Sequence, residues 1–350
     1  LWYSSGADVP ADEYQRWACI PTAGKLSSLE IKLSANVAAG SSYTFTVMKN
    51  QVATSLSVTI SAGESYGIDI STSISFVAGD TVTLRSTYGG TPGTPWASWS
   101  CLWTSDAADE SICLTTAAPY ANGSRYNSVQ GYAGSVTDIY NANTPVPAGT
   151  FKKLYVKLSA DPGTSPDAYK FTLQTSDGLT GTDTALTTTI TADNTTGNDT
   201  TNEVAVTAGQ LVAIHIEPLN VPAVGGTAAI GLVFTGASQG LITGNLGGNL
   251  PSATAVNYNF ICRTASAWDA TEANVNEVAQ PCNLDKFYIY LNSAPGAGKS
   301  LTFTLRANGS NVGSPGNVEV VISGTAKTGS DTTNKYTVPA TATLLDMMCT

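Results

Sequence analysis

The sequence predicts an all-β protein of three tandem antiparallel β-sandwich domains, jelly-roll-like, with the terminal ones incomplete. Three observations carry that expectation. Segments rich in Val, Ile, Thr, Tyr and Phe alternate apolar and polar residues with a period of two, which sets one face on a core and the other in water. No stretch sustains a helical period over three turns. One order of blocks recurs along the 350 residues, with a period of about 131.

The anchor of the repeat is Gly197-Asn198-Asp199-Thr200-Thr201-Asn202. It returns as Gly329-Ser330-Asp331-Thr332-Thr333-Asn334 and, diverged, as Gly67-Ile68-Asp69-Ile70-Ser71-Thr72. Three strand-like blocks precede each anchor. The first block is Leu29–Leu33, Leu154–Leu158 and Phe287–Leu291; the second is Tyr43–Val47, Tyr169–Leu173 and Leu301–Leu305. The third is Leu56–Ile60, Leu186–Ile190 and Val318–Ile322. Turn residues separate them: Asn308-Gly309 is a hairpin signal, and Asp177-Gly178 holds the same place in repeat two. After the anchor, Val77–Leu84 is echoed by Val206–Ile214, and the closing strands are Trp99–Trp103 and Ile230–Phe234.

These blocks place the domains at 1–110, 111–240 and 241–350. The third repeat stops just past the block that matches Thr81–Thr87, so its closing strand is expected to be missing. The first begins where Tyr126–Val129 stands in the second, so its opening strand is expected to be missing too.

Composition narrows function. Charged residues make up 12% of the chain against roughly 25% in an ordinary soluble domain, and the net charge is −10. The 16 basic residues are scattered, which excludes nucleic acid as a partner, because phosphate binding needs clustered Lys and Arg. No apolar run reaches the ~18 residues of a membrane span. Cys19, Cys101, Cys113, Cys262, Cys282 and Cys349 include no Cys-x-x-Cys pair, and the single histidine is far from all of them in sequence. No metal or other cofactor is expected, and disulfides are.

No catalytic residue is expected either. His215 lies in a strand pattern on the face opposite Ile214 and Ile216, and no nucleophile elbow, phosphate loop or zinc-protease motif occurs. The carboxylates Asp109-Glu110 and Asp269 with Glu272 sit in inter-strand segments. The repeated Asp69, Asp199 and Asp331 read as turn caps rather than calcium ligands. Trp99 and Trp103 share a face with Cys101 and read as core rather than as a sugar platform. Sequons at Asn122, Asn194, Asn198 and Asn308 are candidate glycosylation sites.

Repeat three carries one further pattern: Pro295-Gly296-Ala297-Gly298-Lys299-Ser300, then Leu301 to Gly309, then Ile322-Ser323-Gly324 and Gly329 to Asn334. It resembles a repeat of uncharacterised secreted bacterial surface proteins and of phage structural proteins of the fibre or decoration kind. The resemblance implies a structural role at an extracellular or virion surface and brings no active-site residues with it. The expected function is therefore a non-enzymatic subunit of a self-assembling filament or virion appendage, with itself as partner in a homopolymer. An adhesin or glycan-binding array is the alternative. The expected subunit contacts are the N-terminal Leu1, Trp2 and Tyr3, donated as a strand, and Leu344, Leu345, Met347 and Cys349 beside the incomplete edge.

Overall fold

A computed structural model describes residues 2–6, 17–132, 135–223, 226–237, 240–245, 250, 256–262, 267–339 and 343–350. The first strands are β1 (Trp2–Gly6), β2 (Ala18–Cys19), β3 (Gly24–Leu33), β4 (Ser42–Lys49), β5 (Val52–Ser61), β6 (Tyr66–Phe76), β7 (Thr81–Gly89) and β8 (Ala97–Ser105). They form two sheets in the orders β1-β8-β3-β6 and β2-β7-β4-β5, the arrangement of a jelly roll. The alternation seen in the sequence supplies the core between them: Leu26, Leu29 and Ile31 from one sheet meet Phe45, Val47, Leu56 and Ile60 from the other.

The second set is β9 (Glu110–Ala117), β10 (Arg125–Asn127), β11 (Gly131–Tyr132), β12 (Thr144–Val146), β13 (Gly149–Leu158), β14 (Ala168–Ser176), β15 (Gly181–Thr191), β16 (Thr196–Val206), β17 (Gln210–Leu219) and β18 (Ala228–Thr235). Its sheets run β11-β9-β18-β13-β16 and β10-β17-β14-β15, with β12 also on β17. β9, β18, β13 and β16 repeat β1, β8, β3 and β6, and β12, β17, β14 and β15 repeat β2, β7, β4 and β5; β10 and β11 have no counterpart among the described residues of the first set.

The third set is β19 (Asn257–Asn259), β20 (Glu277–Ala279), β21 (Cys282–Tyr290), β22 (Gly296–Ala307), β23 (Ser310–Asn311), β24 (Glu319–Gly324), β25 (Thr328–Val338) and β26 (Thr343–Cys349). One sheet is built, β19-β26-β22-β23 with β20 on β26 and β24 on β22. The other consists of β21 and β25 alone.

The repeat anchor now has a physical reason. Gly67, Gly197 and Gly329 are each the second residue of their strand, in β6, β16 and β25. A Cβ there would stand 2.5 Å from Val58, 2.7 Å from Thr188 and 2.6 Å from Val320 on the preceding strand, so only glycine lets the two approach. Opposite, β3, β13 and β21 each carry a bulge with left-handed backbone, at Ser28 (φ 55°), Lys153 (φ 53°) and Lys286 (φ 55°). The anchor Asp serves two amides opposite the bulge and one on the preceding strand. Asp199 accepts from the N–H groups of Thr201, Asn202 and Thr187, and Asp331 from those of Thr333, Asn334 and Glu319.

Two expectations are corrected. The first sandwich does have its opening strand, since β1 pairs with β8 from Trp2 opposite Cys101 to Gly6 opposite Ala97, in the place that β9 holds on β18. The sequence WYSSG has too little in common with ESICLTTA for the equivalence to show. The expected disulfides are not formed, and all six cysteines are free thiols. Cys101, Cys113, Cys262 and Cys349 lie in four separate apolar clusters, and burial pushes Cys19, Cys113 and Cys349 up to about 12.

Short strands join the three sets. β2 lies on the outer face of β9, β13 and β18, where Trp17, Cys19, Ala229 and Tyr155 cluster and Thr116 Oγ1 donates to Trp17 O at 2.7 Å. β20 lies on β3 and β8: the Val278 amide donates to Ser98 Oγ, and Gln280 Nε2 to Ser100 Oγ, Glu30 Oε2 and Ser28 O. β12 lies beside β21. First on second, second on third and third on first, the contacts close a ring.

Candidate functional site: an open strand position beside β21

In the first two sandwiches the strand equivalent to β21 sits between two partners. β3 lies between β6 and β8, and β13 between β16 and β18. β21 pairs with β25 on one edge and, among the described residues, with nothing on the other. An unpaired edge presents a row of N–H and C=O groups ready for another strand.

The core registers the same gap. Leu26, Leu29 and Ile31 on β3, and Phe151, Leu154 and Val156 on β13, are at most 1% exposed. Their counterparts on β21 are Leu284, Phe287 and Ile289, and all three are only half-buried. Fully burying such a side chain contributes about 1.5–3 kcal/mol, so three that stay partly exposed leave on the order of 0.5–3 kcal/mol ungained. That compares with a margin of roughly 5–15 kcal/mol for an ordinary domain.

A cavity of about 510 Å³ runs along β21. Its floor is the third core, with Trp268, Phe303, Leu305 and Met347. Its far wall is Gly240–Asn245, and its roof includes Thr144, Pro145 and Pro147, in and just after β12. The far wall stands where an opening strand belongs. In β9, Ile112 and Leu114 pack into the first core and Cys113 into the second; in the wall, Leu241 packs into the second core and Ile242 against the third. Yet Gly240–Gly244 carry no strand.

The expected contact residues fall elsewhere. Leu345, Met347 and Cys349 point into the core of their own sandwich, and β26 has β22 on one side and β19 and β20 on the other. Leu344 is half-buried, its amide held by Asn308 Oδ1. The open edge expected beside these residues is therefore at β21, one sheet away. Trp2 and Tyr3 are engaged in β1 as a strand of the first sandwich, and Leu1 lies outside the described residues. Asn122, Asn194, Asn198 and Asn308 are all exposed.

Groups read for possible chemistry have structural partners. His215 Nδ1 lies 3.3 Å from Asp183 Oδ1 and 3.2 Å from Gln174 Nε2, and the ring stacks on Tyr126 at 5.1 Å. Glu110 is tied to Lys153 at 2.6 Å, Lys152 at 3.2 Å and Thr22 at 2.6 Å; burial works to raise its carboxyl, but these partners hold it below the usual range. Asp269 accepts from the Thr271 amide and the Asn274 side chain, and Glu272 pairs with Arg306 at 2.7 Å. Trp99 and Trp103 are in the first core, Trp17 is buried between the first and second sandwiches, and Trp96 is exposed. Among the described residues no cluster of three His, Cys, Asp or Glu could hold a metal ion, and no helix is long and apolar enough to cross a membrane.

The open position could not be found from local sequence patterns, because β21 alternates as β3 and β13 do. No protein-family profile matches this chain, and no characterised protein compared with it is significantly similar in sequence.

Proposed function

We propose that this protein is a non-enzymatic structural subunit of three tandem sandwiches, working in an extracellular filament or virion appendage and joined to its neighbours by β-strand addition. The observation that carries the reading is the edge of β21 that is unpaired among the described residues, over a partly exposed core. Main-chain pairing at such an edge supplies affinity, and pockets for alternate side chains supply specificity. A surface with 12% charged residues favours close lateral packing, since few ions need desolvation. The alternative of a glycan-binding array has less support, because Trp99 and Trp103 are committed to packing. Negative-stain microscopy of the purified protein tests the proposal. Fibres or regular oligomers that persist in the His215→Ala variant are expected, and uniformly monomeric particles at high concentration would refute it.

A further inference from the structure

The third sandwich buries a carboxyl that no donor reaches. Asp346, in β26, is 0% exposed, and neither of its side-chain oxygens accepts a hydrogen bond. Arg306 stands opposite it on β22, yet its Nε is 4.0 Å from Asp346 Oδ1. The guanidinium is engaged elsewhere: Nε donates to Glu272 Oε1 at 2.7 Å, Nη2 to Glu272 Oε2 at 3.1 Å and to Gly309 O, and Nη1 to Asn311 Oδ1 at 2.6 Å. A buried carboxylate without donors is costly, so Asp346 holds its proton, and a protonated carboxyl is itself a donor. Its acceptor is the carboxylate of Glu272.

Charged or titratable groups face this pair from the elements packed on β26. β22 brings Arg306, the 3₁₀ turn Glu272–Asn274 brings Glu272, β20 brings Glu277, and β19 brings Tyr258, whose ring centre lies 5.6 Å from the Arg306 guanidinium. Glu277 is 2% exposed, with its Oε2 holding the amides of Ile261 and Cys262 at 2.5 and 3.0 Å. Among the described residues, three carboxyls thus gather about one guanidinium. The proton on Asp346 leaves a single excess negative charge there, and its loss leaves two in a space short of donors.

Both of the acids that a charged Asp346 would repel lie on the segment joining the third sandwich to the first. Glu272 begins it, and Glu277 opens β20, which pairs with β26 through only three residues. The segment then reaches β3 and β8. Val278 N donates to Ser98 Oγ at 2.8 Å, and Gln280 Nε2 to Ser28 O at 2.8 Å and to Glu30 Oε2 and Ser100 Oγ at 3.1 Å each.

We infer that Asp346 and Glu272 form a proton-operated latch on this segment. While one proton is shared between the two carboxyls, Glu272–Gln280 stays docked on β26 and on the first sandwich. When the proton leaves for solvent, the segment comes away and the joint between the third and first sandwiches opens. The latch works within one chain and needs no partner. Burial, and then the charge of Glu272, push the Asp346 carboxyl up to about 8 against the pull of Arg306. Released into water, it returns to about 3.9. Between these values the closed form binds one proton more than the open form, so the opening constant rises about tenfold per pH unit.

Amide hydrogen exchange of the whole chain tests the latch, with rates corrected for the intrinsic effect of pH. Protection across Glu272–Gln280 should fall by about 100-fold from pH 5 to pH 7, while β13 and β14 keep theirs. In Asp346→Asn the segment should be equally protected at both pH values, since the side-chain amide has no proton to lose. In Glu272→Gln the fall should level off at a lower pH than in the parent, because Arg306 is freed to pair with Asp346. Protection that does not change with pH in the parent would overturn the inference. So would a fall that persists in Asp346→Asn, one that levels off at the same pH in Glu272→Gln, or one shared equally by β13 and β14, which would mean global unfolding.

Discussion

Gly231→Ala tests the joint between the first and second sandwiches. Gly231 is in β18, the central strand of its sheet, with β9 and β13 on either side. Its backbone is not left-handed, so alanine carries no conformational strain there. On chain entropy alone the change would stabilise by about 0.4–1 kcal/mol. The new Cβ, however, would stand 1.9 Å from Cys19 O, 3.0 Å from Cys19 C and 3.0 Å from Pro21 Cδ. Two of these are main-chain atoms of a neighbouring strand and cannot swing away as a side chain would. Forcing β2 outward costs about 1–3 kcal/mol of overpacking. It also weakens the 2.7 Å bond from Thr116 to Trp17 O, worth about 1 kcal/mol. The expected net effect is a destabilisation of about 2–3 kcal/mol, read as a lower urea midpoint at unchanged slope. Ser100→Ala, at the equivalent position of β8, loses only the contact with Gln280 and should cost about 1 kcal/mol or less. A Gly231→Ala protein as stable as the parent would refute the packing of β2 on β18.

Two further outcomes depend on pH. Burial, and then the charge of Glu272, push the Asp346 carboxyl up to about 8, with Arg306 opposing them. A raised acid favours the fold fully below its unfolded value of about 3.9 and loses that contribution as pH rises through 8; the urea midpoint of Asp346→Asn should therefore gain on the parent steadily between pH 4 and 8, and a constant difference would refute it. At Asp199, burial works to raise the carboxyl, but the bonds from Asn202, Thr187 and Thr201 win and hold it low. Its contribution is present above about pH 3.9 and lost as pH falls through the lower folded value, so Asp199→Ala should cost about 2–4 kcal/mol at pH 7 and much less at pH 2; an equal cost at both would show the amides satisfied some other way.

What was legible in the sequence was whatever each repeat states locally. The alternation located β3, β13 and β21, and the Gly-x-Asp anchor marked one place in three repeats because glycine is needed under Val58, Thr188 and Val320. Asn308-Gly309 announced its hairpin, with both residues at positive φ. Asn50-Gln51 makes the same two-residue turn without a glycine, at φ 51° and 67°. What stayed hidden depends on pairing between distant segments. WYSSG does not say that it lies beside β8, and nothing in Leu344–Cys349 says that both its edges are taken. The small residues Ser98, Ser100, Ala229 and Gly231 read as ordinary polar or weak strand positions. Only the short strands laid over them reveal a rule.

That rule bears on stability. Two joints of the ring rest on finished strands, β2 on β18 and β20 on β8. The third brings β12 and Pro147 over a cavity instead. Elements with few buried apolar contacts open at lower free energy than the rest of a fold, so the joint between the second and third sandwiches is the loosest of the three.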